Sequence, residues 1–169
     1  MKARALTDSE ELPIELALRI RHPVMDPADL SRELGLEPTH TFRAGDPREP
    51  RSNIAPASAH AESYWLGSLD PAVWLSDIWP YAYARVDAAV RKPVKATAWT
   101  NLGSALAITA RVLVRSHASL FERIRTEGGQ ASLLVTLSPI AVDSFSVTPE
   151  VSQMLADLGI TVEFEMTSE

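Results

Sequence analysis

The chain contains no cysteine. Disulfides, thiolate metal sites and a cysteine nucleophile are therefore excluded, and the absence fits a reducing cytoplasm. Glycine is scarce, with 7 in 169 residues. No glycine-rich stretch opens a helix: Gly128-Gly129 follows a helical pattern, which reverses the geometry of a phosphate loop. No serine sits in a G-x-S-x-G elbow. The four histidines, His22, His40, His60 and His117, fall in separate segments without the short spacing of metal ligands. No run reaches the roughly 20 apolar residues of a membrane span, and the most apolar stretch, Ser104 to Val114, carries Arg111. The segment Met1 to Glu11 has no apolar core behind its basic residues, so residues 1–12 are expected to form a flexible arm and not a secretory signal. Positive charge is in deficit as well, with 16 Lys and Arg against 22 Asp and Glu, a net charge of -6. Such a surface repels phosphate backbones unless cations gather locally. The two gatherings, Arg43, Arg48 and Arg51, then Arg91, Lys92 and Lys95, are interrupted by acids or prolines. The expectation is a soluble cytoplasmic protein with no membrane and no nucleic-acid partner.

What is present is an ordinary globular composition, 46% hydrophobic and 22% charged. Its length suits a single domain over residues 13–169. Ile14, Leu16, Leu18 and Ile20 alternate with Glu15, Ala17, Arg19 and Arg21, the period of a strand with one buried face. After Pro23, Asp26 is placed as an N-cap with Pro27 at the first helical position, and Met25 can staple onto Leu30. Leu30 and Leu34 form an apolar stripe that Gly35 ends. A second strand covers about Thr39 to Ala44, an exposed connection runs from Asp46 to His60, and a third strand covers about Glu62 to Leu66. From Leu102 to Glu127, Leu106, Ala110, Leu113, His117, Leu120, Phe121 and Ile124 recur at helical steps, giving one long helix or two collinear pieces. Leu133, Val135 and Leu137 mark a fourth strand. A helix lined by Val151, Met154, Leu155 and Leu158 leads through Gly159 to a last strand, Ile160 to Met166. This order predicts an α+β two-layer sandwich, a mainly antiparallel sheet of about five strands with helices on one face, ferredoxin-like in tendency.

The residues that can carry chemistry have structural readings beside the functional ones. Asp26 and Asp29 suit the helix dipole, and Asp46 before Pro47 suits a turn. His117 falls on the apolar stripe of the long helix, as a core histidine satisfied by a neighbour, and His22 beside Pro23 reads as strand-end punctuation. Every Trp and Tyr lies between positions 64 and 99. Trp, Tyr and Arg dominate protein–protein hot spots, although packing onto the sheet is the simpler account of any single ring and leaves one or two for a partner surface. The candidate binding residues are Arg43, Asp46, Tyr64, Trp65, Trp79, Tyr81 and Trp99. No catalytic residue, metal site or cofactor is assigned.

Leu18, Ile20, Asp26-Pro27, Leu30, Leu34-Gly35-Leu36 and Pro38-Thr39, followed by Phe42-Arg43-Ala44-Gly45-Asp46, Ser63-Tyr64-Trp65 and Leu158-Gly159-Ile160, form a recurring pattern. In these blocks, over residues 13–66 and 102–166, the chain resembles a bacterial family of domains of unknown function, number four-two-seven-nine. Residues 67–101 depart from the pattern as an aromatic-rich insertion. The resemblance implies a small cytoplasmic α+β domain with no assigned activity, of a kind that often looks like the immunity proteins of toxin systems.

These readings favour a non-enzymatic module that binds another protein, a basic one given the acidic charge. The alternatives are a small-molecule binder or enzyme with a pocket beside Arg43, Asp46 and Trp65, and a structural homodimer. Closure of the sheet is expected through the first and last strands, antiparallel neighbours that set Arg19 and Arg21 against Glu163 and Glu165, and Leu16, Leu18 and Ile20 against Val162 and Phe164. Each such apolar side chain stabilises by about 1.5–3 kcal/mol when fully buried. Deleting residues 160–169 is therefore expected to abolish the cooperative thermal melt, and deleting residues 1–11 to leave it almost unchanged.

Overall fold

The computed structural model describes residues 14–48, 58–70, 102–137 and 146–166. The first strand, β1 (Glu15–His22), buries Leu16, Leu18, Ile20 and His22 and turns Glu15, Ala17, Arg19 and Arg21 to the other face, as its alternation requires. Helix α1 (Pro27–Leu34) starts where Asp26 accepts a hydrogen bond from the Ala28 amide at 2.9 Å, with Pro27 in the first turn. It stops at Gly35, whose φ of 66° is the left-handed region that a side chain disfavours. β2 (His40–Phe42) and β3 (Ser63–Ser68) form an antiparallel pair, extended outward by a bridge between Pro47 and Ala59. Helix α2 (Leu102–Thr126) is a single element, capped by amides of the following turn: Gly128 N–H donates to Arg125 O and Gly129 N–H to Ile124 O. β4 (Gln130–Leu137), helix α3 (Pro149–Asp157) and β5 (Ile160–Met166) complete the described chain. Thr148 stands at the N-cap of α3 but makes no side-chain capping bond, unlike Asp26 at α1.

The sheet order is β2-β3-β1-β4-β5. The first four strands are antiparallel neighbours in the split βαβ arrangement of ferredoxin-like folds, and β5 adds to the outer edge of β4 in parallel, through α3. The expected α+β sandwich is the observed one, with its three described helices on one face. The expected closure is not. Both edges of β1 are already occupied, by β3 and β4, so β5 cannot pair with it. Leu16 and Leu18 face Val135 and Leu133 instead, and Val162 and Phe164 lie one strand further out. Of the expected outward charge pairs only Arg19–Glu163 is seen, because Arg19 is long enough to cross β4, whereas Arg21 lies beside Glu62.

The covered face holds the core. Trp65 on β3 is fully buried, and its indole N–H donates to Ser31 Oγ of α1 at 2.9 Å, satisfying the one polar atom of the ring. Phe121, Leu113, Leu106 and Ile124 of α2 pack under Leu18, Ile20 and Leu133 in the same cluster. Of the residues assigned to the aromatic-rich insertion, Gly67 and Ser68 belong to β3 and Leu69 is fully buried; residues 71–101 lie outside the described residues, as does the arm at 1–12. Among the described residues no helix is long and apolar enough to cross a membrane.

Gly67 exists because of Trp65. A Cβ at position 67 would stand 2.3 Å from Cη2 of the indole and 2.9 Å from two further ring carbons. Gly67→Ala is therefore expected to lower stability by about 1–3 kcal/mol through overpacking. Urea denaturation should show part of that loss recovered when Trp65→Phe, which shortens the ring system, is added.

Candidate functional site

The four described candidate residues, Arg43, Asp46, Tyr64 and Trp65, do not converge. Trp79, Tyr81 and Trp99 lie outside the described residues. Arg43 and Asp46 are neighbours in the turn after β2, where both serve the backbone and the adjoining helix. Asp46 accepts from the Arg43 amide at 2.9 Å, and the Arg43 guanidinium pairs with Asp26, the N-cap of α1, at 2.7 Å. Trp65 points to the opposite side of the sheet and is inaccessible. The pocket imagined beside Arg43, Asp46 and Trp65 is corrected on that account: alternation along β3 sends Tyr64 outward and Trp65 inward. Tyr64 is the one candidate on an accessible face that also joins a larger group.

That group sits on the face of the sheet opposite the described helices. In β2 and β3 the register sets Phe42 opposite Tyr64 and His40 opposite Leu66. The Phe42 ring stacks on Tyr64 with centroids 5.0 Å apart and on His60 at 3.7 Å, while His40 meets Phe42 and Tyr64 edge-on at 6.0 and 5.8 Å. Geometries of this kind contribute about 0.5–1.5 kcal/mol per pair beyond burial. Tyr64 continues across the sheet to Arg21 and then Gln130, and Leu66 continues to Arg19, Ser132 and Thr161. One side of the face is thus aromatic and the other is built from arginine, hydroxyl and carboxylate groups.

On the polar side Arg19 donates to Glu163 and, at 3.5 Å, to Ser132 Oγ. The Glu163 carboxyl is held below its ordinary value by the Ser132 hydroxyl, then by the hydrogen bond and charge of Arg19 and the charge of Arg21. It is a carboxylate at neutral pH. Arg21 lies 3.8 Å from Glu62, both about half exposed.

Sequence reasoning missed His40, Phe42 and His60 as binding candidates, and also Arg19 and Arg21. The signal for the first two was the i, i+2 spacing of His40 and Phe42, which places both on one face of a strand. Among the described residues, no three or more His, Asp or Glu side chains gather in a way that would hold a metal ion.

Two histidines are structural. His22 closes β1: its Nδ1 accepts from the Met25 amide at 2.8 Å and the Val24 amide at 3.2 Å, which shapes the entry to α1. An imidazole that accepts at Nδ1 carries its proton on Nε2. That atom is 3.3 Å from the Glu127 carboxylate, without a well-aligned hydrogen bond. His117 is buried on α2 as expected, but among the described residues its Nε2 has no hydrogen-bond partner, against the expectation of a satisfied core histidine. Burial lowers the pKa of both; Glu127 opposes it at His22 and Glu33 at His117.

No known protein family, curated protein or solved structure matches the chain. The site therefore rests on its own geometry.

The two lowered histidines give the fold an acid sensitivity. Above the unfolded value of 6.5 both states hold neutral imidazoles and the stability is complete. As the pH falls below it, the unfolded chain binds the protons first and stability is lost. The urea midpoint is expected to drop between about pH 7 and pH 5, and His117→Leu should flatten that slope. A midpoint unchanged over the interval would contradict the assignment.

Proposed function

We propose that this chain is a non-enzymatic module that binds another protein through the sheet face opposite its described helices, with the Phe42–Tyr64–His60 stack as anchor. The observation that supports this reading is the stack itself, a set of rigid rings on a face that none of the described helices covers. Aromatic residues flanked by arginine, with polar groups around them, are the composition of interface hot spots. Phe42 stacks with both His60 and Tyr64, so it is not free to take a nucleobase between rings, which favours a protein over a nucleic acid. The polar groups beside it are tied into pairs and caps, Arg43 with Asp26 and Asp46 with the Arg43 amide, an arrangement suited to shape and not to proton transfer. The net charge of -6 favours a basic partner. The resemblance to the domain-of-unknown-function family adds an immunity-type role in a bacterial cytoplasm, in which the partner is a toxin.

The test is to mix the purified chain with the product of its adjacent gene and measure the complex by light scattering and calorimetry. A one-to-one complex is expected, and Phe42→Ala and Tyr64→Ala should each weaken it by about 2 kcal/mol. Absence of a complex, or one indifferent to both substitutions, would refute the reading. A concentration-dependent dimer abolished by Phe42→Ala would reassign the face to self-association.

A further inference from the structure

The two edges of the sheet are built differently. β2 is three residues long, and its outward continuation is a single bridge between Pro47 and Ala59. β5 is seven residues long, contains neither proline nor lysine, and keeps an unbroken parallel register with β4 from Ile160 to Met166. Among the described residues no strand pairs with its outer edge. Short length, proline, edge lysines and bulges are the usual devices that stop a strand edge from templating another strand. β2 has the first of them, and β5 has none.

The side chains of β5 state what an added strand would carry. On the helix side, burial falls away across a single strand. Val135 and Leu137 of β4 are 0% and 2% exposed, while their register partners Phe164 and Met166 are 41% and 59% exposed. On the other face stand Thr161, Glu163 and Glu165. Glu163 is committed to Arg19, whereas Glu165 is exposed and forms no ion pair among the described residues. A side chain directly opposite on a neighbouring strand lies about 4.5–5.5 Å away, where a cation is favoured and an anion disfavoured. The same rule disfavours a second copy. Two antiparallel β5 strands that set Val162 against Phe164 would place Glu163 opposite itself, with Glu165 diagonal to it, between chains of net charge -6.

We propose that the outer edge of β5 accepts an extended segment of another protein as a further strand. Its apolar residues lie beside Val162, Phe164 and Met166, and a lysine or arginine lies opposite Glu165. Backbone hydrogen bonds supply the affinity, and the alternation of basic with apolar side chains supplies the selectivity. This site does not rest on the aromatic-face reading, because β2 and β5 are the two ends of the strand order.

The test is titration of the full chain at low ionic strength with an acetylated, amidated peptide of alternating lysine and valine, about eight residues long. Calorimetry measures the binding, and amide hydrogen exchange by NMR locates it. Saturation is expected, with slowed exchange of amides between Thr161 and Glu165. Glu165→Lys, at an exposed position, should keep the thermal melt and weaken the peptide about tenfold. A peptide with glutamate in place of lysine, and one with every backbone nitrogen methylated so that it cannot donate, should each bind at least about tenfold more weakly. Absence of saturation, equal binding of either control, indifference to Glu165→Lys, or protection at β2 in place of β5 overturns the proposal. So does a dimer of the free chain whose β5 amides are already protected, which would assign the edge to a second copy. Phe42→Ala should leave peptide binding unchanged, so failure here and failure of the aromatic-face reading are distinguishable.

Discussion

The strand β1 has a hydrogen-bonded neighbour on each edge, and its period of two divides the rest of the molecule into two sides. Leu16, Leu18 and Ile20 are buried against α2 and against Val135, Leu133 and Ala131. Sliding the register by one residue would send all three to water and bring Arg19 and Arg21 into the core, an exchange no other contact here could offset. Once β1 is fixed, β3 has one allowed alternation, with Trp65 inside and Tyr64 outside, and β4 has another, with Leu133 inside and Ser132 outside. The chemistry available to the protein is what this division leaves on the second side.

That second side is organised by residue type across the strands. Edge strand β2 and its neighbour contribute rings, the central strand contributes arginines, and β4 and β5 contribute hydroxyls and carboxylates. The aromatic part is already packed on itself, so it is a preformed surface with little entropy to lose on association. The arginine part is graded. Arg43 and Arg19 are held by carboxylates that also cap a helix or bridge strands, and removing either would leave a partner exposed in a structural position. Arg21 and Arg125 pair with exposed carboxylates, Glu62 and Glu122, that serve no cap or strand bridge. A guanidinium's freedom to move depends on what else its partner does.

Local signals in the sequence were sufficient for the elements. The alternation of β1, the Asp26-Pro27 start and Gly35 stop of α1, the stripe of α2 and the alternation of β5 all arise within a few residues of one another, so they could be read without knowing any neighbour. Strand adjacency is different in kind. Arg19 and Glu163 were correctly matched, yet the strand between them was missed, because a long side chain pairs equally well with the next strand or the one beyond. Trp65 stands among the binding candidates because the presence of a tryptophan does not state which face of its strand it takes. The clue was two residues away, in Gly67, whose missing Cβ makes room for a ring only on the buried side. The open-face cluster was hidden because β2 is three residues long, too short for a period to register, and because His60 comes from the far side of a connection.

The net charge argument also needs a scale. A total of -6 governs how the molecule looks to a partner at a distance, but at physiological ionic strength that field decays over about 8 Å. Inside this distance a ligand responds to the side chains around it. On the outward face of β5 those are Glu163 and Glu165; on β1 they are Arg19 and Arg21. The net charge therefore does not describe the sheet locally, where each carboxylate and guanidinium is felt through its own partner. Arg19 decides the balance at the centre, because it crosses β4 and neutralises the Glu163 carboxylate, which leaves the outward face less acidic than the whole chain.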